Sequence, residues 1–354
     1  MAQPDGTRAT AAAERAARES YGRLLALLIA STRDIALAED ALADAFERAL
    51  RTWPGSGVPQ NPEAWLMTVA RNRARDLLGS AAHRTGATLD DATIENDDGR
   101  GGGVVDDIAA LLARGDSIPD KRLELLFTCA HPAIEPSIRT PLMLQVVLGV
   151  DAARIARAFD VEPAAMAQRL VRAKKRIALA GIPYTVPGRA DMRPRLASVL
   201  EAIYGAYAVD YLDQGERYRE SIADEARWLA VLTAALLRDQ PEAWGLAALL
   251  TLAQSRAPAR AVAPWPPLDQ QDTTLWDPAL IAEGEALLHR ARRLGDPLQR
   301  FQLEAAIHSV HCDRARTGRI DRDALRDLYA GLAAIAPTRG ALAARAAAER
   351  RGPG

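Results

Sequence analysis

The stretch DAARIARAFDVEPAAMAQRLVRAKKRI, residues 151–177, decides the fold. Asp151 is a residue type that caps helix N-termini, and Ile155, Ala156 and Phe159 behind it share one buried face of a short helix. Asp160 falls where a tight turn needs a left-handed backbone, Val161 plugs that turn, and Pro163 opens a second helix. The second helix turns Met166, Leu170, Ala173 and Ile177 inward. Ala165, Gln168, Arg169, Arg172, Lys175 and Arg176 lie on its other side, and from Ala164 to Ile177 there are five basic residues and no acidic one. A short helix, a tight turn and a basic second helix form the helix-turn-helix pattern, whose second helix enters the major groove of DNA. Gln168, Arg169 and Arg172 carry donors suited to base edges, whereas Lys174, Lys175 and Arg176 suit phosphates.

Outward from this stretch the chain stays helical. Asp34 caps a helix whose stripe of Ile35, Ala38, Leu42, Ala45, Phe46, Ala49, Leu50 and Trp53 follows three-four spacing. The segment WPGSGVPQNP (53–62) breaks the chain, and Asn61 followed by Pro62 starts the next helix. That helix, to about Leu78, buries Leu66, Met67, Val69, Ala70, Ala74, Leu77 and Leu78 and exposes Thr68, Arg71, Asn72 and Arg75, with Arg73 at the border. Long alternating β-branched runs are missing, alanine and leucine dominate the apolar residues, and aromatics make up only 5%. The expected fold class is all-α.

Four segments follow from composition. A first helical block spans 15–84. Residues 85–118 hold Gly99 and Gly101 to Gly103 and are rich in acids, a composition expected of a flexible linker. A second helical block spans 119–184, and a third, after the Pro- and Gly-containing IPYTVPGRADMRP (182–194), spans 194–350. The net charge of −1 hides an asymmetry: residues 139–195 carry 11 basic and 4 acidic residues, residues 87–120 carry 2 and 9. The basic balance is therefore local to the helix-turn-helix block.

Cys129 and Cys312 lie far apart, so no disulfide framework or cysteine-rich zinc site is expected, and a reducing compartment suits the chain. No signal peptide and no stretch of about 18 apolar residues occurs, so neither secretion nor a membrane partner is expected. Cys129 with His131, and His308 with His311 and Cys312, read as packed core groups rather than metal ligands. No phosphate-loop, nucleophile-elbow or zinc-helix motif is present, so no cofactor, metal or catalytic residue is expected and the chain does not read as an enzyme.

In order, these blocks resemble an extracytoplasmic-function sigma factor of bacterial RNA polymerase. AEDALADAFERALRTWP (38–54) resembles region two in the helix that docks on the polymerase clamp, and NPEAWLMTVARNRARDLL (61–78) resembles the following helix, which meets the minus-ten element. IARAFDVEPAAMAQRLVRAKKRI (155–177) resembles region four, which reads the minus-thirty-five element. PDKRLELLFTCAHPAI (119–134) and AGIPY (180–184) resemble the subgroup with a helical, tetratricopeptide-like C-terminal extension. The resemblance implies that Asp40, Asp44, Glu47, Arg48 and Arg51 face core RNA polymerase. It implies that Thr68, Arg71, Asn72, Arg73 and Arg75 meet the minus-ten element, and that Ala165, Gln168, Arg169, Arg172, Lys174, Lys175 and Arg176 meet the minus-thirty-five element. A cytoplasmic protein with polymerase and promoter DNA as partners is expected, with a regulatory protein as a possible partner of the extension. Two other readings stay open: a helix-turn-helix regulator that binds DNA without polymerase, and a helical scaffold for protein interactions.

Overall fold

A computed structural model of the chain describes residues 4–82, 120–179, 187–212, 220–260, 266–295 and 297–350. The acidic segment 85–118, the AGIPY stretch and Trp265 fall outside the described residues. Among those described, every regular element is a helix and no strand occurs, so the chain is all-α as its composition requires. The longer helices are α1 (Pro4–Thr32), α2 (Ile35–Ser56), α3 (Pro62–Ala82), α4 (Lys121–Cys129), α5 (Pro136–Val146), α6 (Ala152–Ala158), α7 (Pro163–Leu179), α8 (Leu196–Leu212), α9 (Glu220–Leu236), α10 (Pro241–Gln254), α11 (Pro278–Arg293), α12 (Arg300–Cys312), α13 (Arg322–Ile335) and α14 (Arg339–Arg350).

The fold divides into two compact units that part within α8, between Val209 and Asp210. In the first unit, α1, α2 and α3 form a three-helix bundle. Asp34 caps α2 by accepting from the Leu37 amide at 3.1 Å, and Asn61 caps α3 by accepting from the Ala64 amide at 3.0 Å. The bundle core joins Leu24, Leu25, Leu28 and Ile29 of α1 to Leu42, Ala45 and Trp53 of α2 and Leu66, Met67 and Ala70 of α3. Trp53 meets Trp65 edge-on at 5.5 Å, and Glu63 of α3 is held by Ser20 and Arg23 of α1. Helix α1 begins much earlier than the apolar segment Tyr21–Ile29, because the alanines before it (Ala9, Ala13 and Ala16) also bury a face. Two expected core residues of α2 are not core: Leu50 is 47% exposed and Phe46 is half-buried, where it stacks on Tyr21 at 6.3 Å. The stripe follows Ala38, Ala41, Ala45 and Ala49 instead, whose small side chains let the helices approach closely. In α3, Val69, Leu77 and Leu78 are likewise only half-buried, lying at the margins of the face that packs inward.

The first unit also contains α4 to α7 and the first part of α8. Arg195, just ahead of α8, donates to the Phe127 carbonyl at 3.0 Å, and Gly205 of α8 lies against Leu144. Much of the helix expected to open the third block thus packs with the second.

The second unit is built around α10, buried from Ala243 to Ala253. Two glycines set its helix spacing. A Cβ at Gly245 would fall 2.8 Å from the Gln302 amide nitrogen, and one at Gly284 would fall 2.6 Å from the Leu252 side chain. Arg227 links α9 to Thr251 at 3.1 Å and to Glu283 at 2.6 Å. Trp244 donates to the Arg238 carbonyl at 3.1 Å beneath the Arg290 guanidinium, and Trp276 is buried. Leu303, Ile307, Leu325, Leu332 and Ala341 form the core that joins α12, α13 and α14.

Candidate nucleic-acid interface

Helices α6 and α7 are joined by a short turn with the expected geometry. Asp151 accepts from the Ala153 and Arg154 amides at 3.1 and 2.9 Å, which caps α6. Asp160 adopts φ +53°, a left-handed conformation that Asp tolerates better than most residues. The Val161 amide then closes onto the Ala156 carbonyl at 2.9 Å, and Glu162 caps α7 by accepting from the Ala165 amide at 2.9 Å. Met166, Leu170 and Ile177 of α7 and Ile155 and Ala156 of α6 are buried, while Ala173 is half-buried. Phe159, expected in that core, is 40% exposed: it occupies the C-cap of α6, where the chain turns outward.

The inward-facing residues of α7 leave Ala165, Gln168, Arg172, Lys175 and Arg176 exposed on the opposite side. Arg172 folds its Nε onto the Gln168 carbonyl at 3.3 Å, along the helix axis. Arg169 lies to one side, half-buried, and donates to the Ser137 hydroxyl at 3.1 Å. Lys174 lies to the other side, and its Nζ sits 2.7 and 2.9 Å from the carboxylate oxygens of Glu39 on α2. It is therefore an intrachain partner here, not part of the open basic face. Between α7 and the start of α5 runs a groove of about 260 Å³ with Ile134, Ile138 and Ile177 among its apolar lining residues and Arg169, Arg172 and Arg176 among its charged ones. Glu135 in this groove is held below the usual carboxylate range, first by its hydrogen bonding to Ser137 and then by the charges of Arg169 and Arg176.

On α3, Thr68, Asn72, Arg73 and Arg75 are exposed and Arg71 is half-buried. Their local bonds differ. The Thr68 hydroxyl donates to the Ala64 carbonyl at 2.8 Å, and Arg75 donates to the Asn72 amide oxygen at 3.0 Å. Arg73 instead reaches across to α2 and pairs with Asp44. One ion pair thus joins a residue expected at the promoter to one expected at polymerase. On α2, Asp40, Glu47, Arg48 and Arg51 are exposed, and Glu47 pairs with Arg51 one turn on. Leu50 adds an exposed apolar side chain to that surface. Sequence reasoning missed Glu39 and Ser137, which fix the two flanks of α7. Both are ordinary surface residue types, and no pattern within their own helices marks them.

Among the described residues, no group of three or more His, Cys, Asp or Glu is placed to hold a metal. No helix among them is long and apolar enough to cross a membrane. Both cysteines are free and buried, and burial pushes the Cys129 thiol up to about 12.

Residues 17–84 match the family described as Sigma-70 region 2, and residues 195–292 match a Family of unknown function (DUF6596). Residues 17–84 thus form a Sigma-70 region 2 domain. It is 36% identical over 327 residues to a Rhizobium meliloti (strain 1021) protein named "Uncharacterized protein R00370", covering 91% of this chain and 76% of that one. It is also 36% identical over 75 residues to a "Probable RNA polymerase sigma factor RfaY" of Xanthomonas campestris pv. campestris, covering 19% of each chain. No solved structure matches the chain.

Proposed function

We propose that the chain is a sigma factor of the extracytoplasmic-function type that binds core RNA polymerase in the cytoplasm and directs initiation at specific promoters. The observation that carries the reading is the order of two modules: a region 2 bundle over 17–84, followed by a helix-turn-helix whose second helix bears an acid-free, exposed basic face. In this reading Asp40, Glu47, Arg48, Arg51 and the exposed Leu50 of α2 meet polymerase, and Asp44 orients Arg73 between the two faces. Thr68, Arg71, Asn72 and Arg75 of α3 meet the minus-ten element. Capture of an unstacked base there costs a few kcal/mol, offset by pocket and phosphate contacts. Gln168, Arg169 and Arg172 read minus-thirty-five base edges, with Ala165 beside them, while Lys175 and Arg176 hold phosphates. Such a protein makes no covalent chemistry; it positions polymerase and stabilises opened DNA.

The second unit is a tetratricopeptide-like regulatory extension in this reading, supported by its paired helices α9–α10 and α13–α14. In this reading it receives a regulatory protein. The test is selection of promoters from a random library by core polymerase reconstituted with the full chain. Enrichment of a bipartite element with a fixed spacer supports the reading. Enrichment of a single contiguous site, independent of polymerase, overturns it.

A further inference from the structure

In the second unit, the end of α10, the start of α11 and the end of α12 gather a set of cations around one buried indole. Arg256, just past α10, is only 4% exposed. Its guanidinium donates to the His308 Nδ1 at 2.9 Å and to the Cys312 Sγ at 3.4 Å, both on α12. Trp276, just ahead of α11, is 5% exposed and has two guanidiniums as neighbours: the central carbons of Arg256 and Arg314 lie 5.9 and 5.1 Å from its ring centre. Arg314 is itself fixed by the carbonyls of Leu268, at 3.0 Å, and of Gln271. Arg260 and His311, both half-buried, lie close enough for their charges to act on His308, also half-buried.

The charges in this cluster do not balance. A buried cation is costly unless it is paired with an anion. The two partners of Arg256 are neutral: burial keeps Cys312 as the thiol, and burial with the neighbouring cations keeps His308 unprotonated. No carboxylate among the described residues bonds to Arg256. Asp272 and Asp277 are spent on the amides of Thr274, Ala279 and Leu280, and the charge of Glu285 is felt at Cys312 without a bond to Arg256. The donors do not balance either. The Trp276 Nε1–H is buried without an acceptor among the described residues, a costly arrangement for a donor. His308 accepts from Arg256 at Nδ1, so its neutral ring carries the proton on Nε2 as a second donor. A single anion with several oxygens would answer both the unbalanced cation and the spare donors.

We propose that this junction binds a small oxyanion of the phosphate class, held by Arg256, the His308 Nε2–H and the Trp276 Nε1–H, with Arg260 and His311 on the half-buried side where it enters. The site gives the second unit a ligand of its own, independent of polymerase and DNA. Occupancy ties together the ends of three helices, so it stabilises the folded unit by mass action.

The test titrates inorganic phosphate, glycerol phosphate and acetate into the full chain at constant ionic strength, by calorimetry and by thermal melting. The expected result is saturable binding of phosphate, none of acetate, and a melting temperature that climbs with the logarithm of phosphate concentration. Tighter binding of glycerol phosphate would name a phosphomonoester as the ligand, and tighter binding of inorganic phosphate the free ion; either supports the site. Trp276→Phe keeps a ring beside the guanidiniums and removes the N–H. His308→Asn keeps an acceptor for Arg256 and removes the Nε2 donor. Each should weaken phosphate binding about tenfold or more, the loss of one hydrogen bond to a charged group. Arg345→Gln, exposed on α14, should leave it unchanged. If one variant fails to fold by circular dichroism, the other decides, and saturable binding by the parent is required in every case. No saturable phosphate binding by the parent, or equal weakening by Arg345→Gln, overturns the site. So does an ultraviolet thiolate absorbance from Cys312 in phosphate-free buffer, because the thiolate would then be the counter-ion of Arg256.

Discussion

Replacing Arg172 and Lys175 of α7 separately by alanine divides base reading from phosphate holding. Both are exposed on the side of α7 opposite Met166, Leu170 and Ile177, so neither truncation opens the core. Arg172 holds its Nε on the Gln168 carbonyl at 3.3 Å, a bond it can exchange for a base edge at little net cost, since intramolecular hydrogen bonds contribute only about 1 kcal/mol. A bidentate arginine–base contact discriminates by roughly 1–3 kcal/mol, which corresponds to about 5- to 150-fold. Arg172→Ala should lose that much affinity for the selected minus-thirty-five element and almost none for a scrambled one. Arg169 must first leave the Ser137 hydroxyl, 3.1 Å away, so Arg169→Ala should lose about 1 kcal/mol less, and Ser137→Ala should leave specificity intact. Lys175→Ala should weaken both duplexes alike and reduce the slope of log affinity against log salt by about 0.9. The assay is fluorescence anisotropy of holoenzyme on both duplexes across a salt series. Equal losses from Arg172→Ala on specific and scrambled DNA would refute the division of roles.

Glu47→Arg or Arg48→Glu on α2 should weaken core polymerase binding severalfold in a pull-down titration while shifting stability by no more than about 0.5 kcal/mol, since both side chains are exposed. Gly245→Ala should destabilise the second unit by roughly 1–3 kcal/mol less the ~1 kcal/mol gained in helix propensity, because its Cβ meets the Gln302 backbone; a rise in melting temperature would contradict the close packing of α10 on α12. His308 accepts from Arg256 through Nδ1 at 2.9 Å, and burial followed by the Arg256 charge holds its pKa well below the usual value. Below about pH 6.5 the unfolded chain binds a proton that the folded chain refuses, so α12 should lose up to about 1.4 kcal/mol per pH unit as acidity rises. Glu242, pushed up to about 7 mainly by burial, acts in the opposite sense over the same window, so the effect is read as the difference in α12 amide exchange between parent and His308→Asn, and no difference would contradict it. Truncation at Pro187 should destabilise the first unit by stripping Arg195 and α8 from α4 and α5, whereas truncation at Leu212 should leave its melting unchanged.

The helix starts were legible because capping is local chemistry: Asp34, Asn61–Pro62 and Asp151 each announce a terminus that the structure builds with that side chain. The turn at Asp160 was legible for the same reason, since its left-handed backbone depends on one residue type. What periodicity could not supply was the neighbour of each face. Leu50 and Phe159 fit their stripes, yet they face outward because the surrounding helices leave those positions uncovered. Arg73 and Lys174 fit DNA-facing sets by spacing, yet each is long enough to reach a carboxylate on α2. The composition break at 182–194 marked a change of sequence style, while α8 joins the first unit through Arg195 and Gly205, contacts that span more than 60 residues.

The most direct test of the central claim is gel filtration of the full chain with core RNA polymerase, with and without a selected promoter, followed by transcription from that promoter. The chain should elute with core in equal amounts, and the complex should start transcripts at one position that core alone does not use. Tight binding to duplex without association with core, or association with neither, would contradict it.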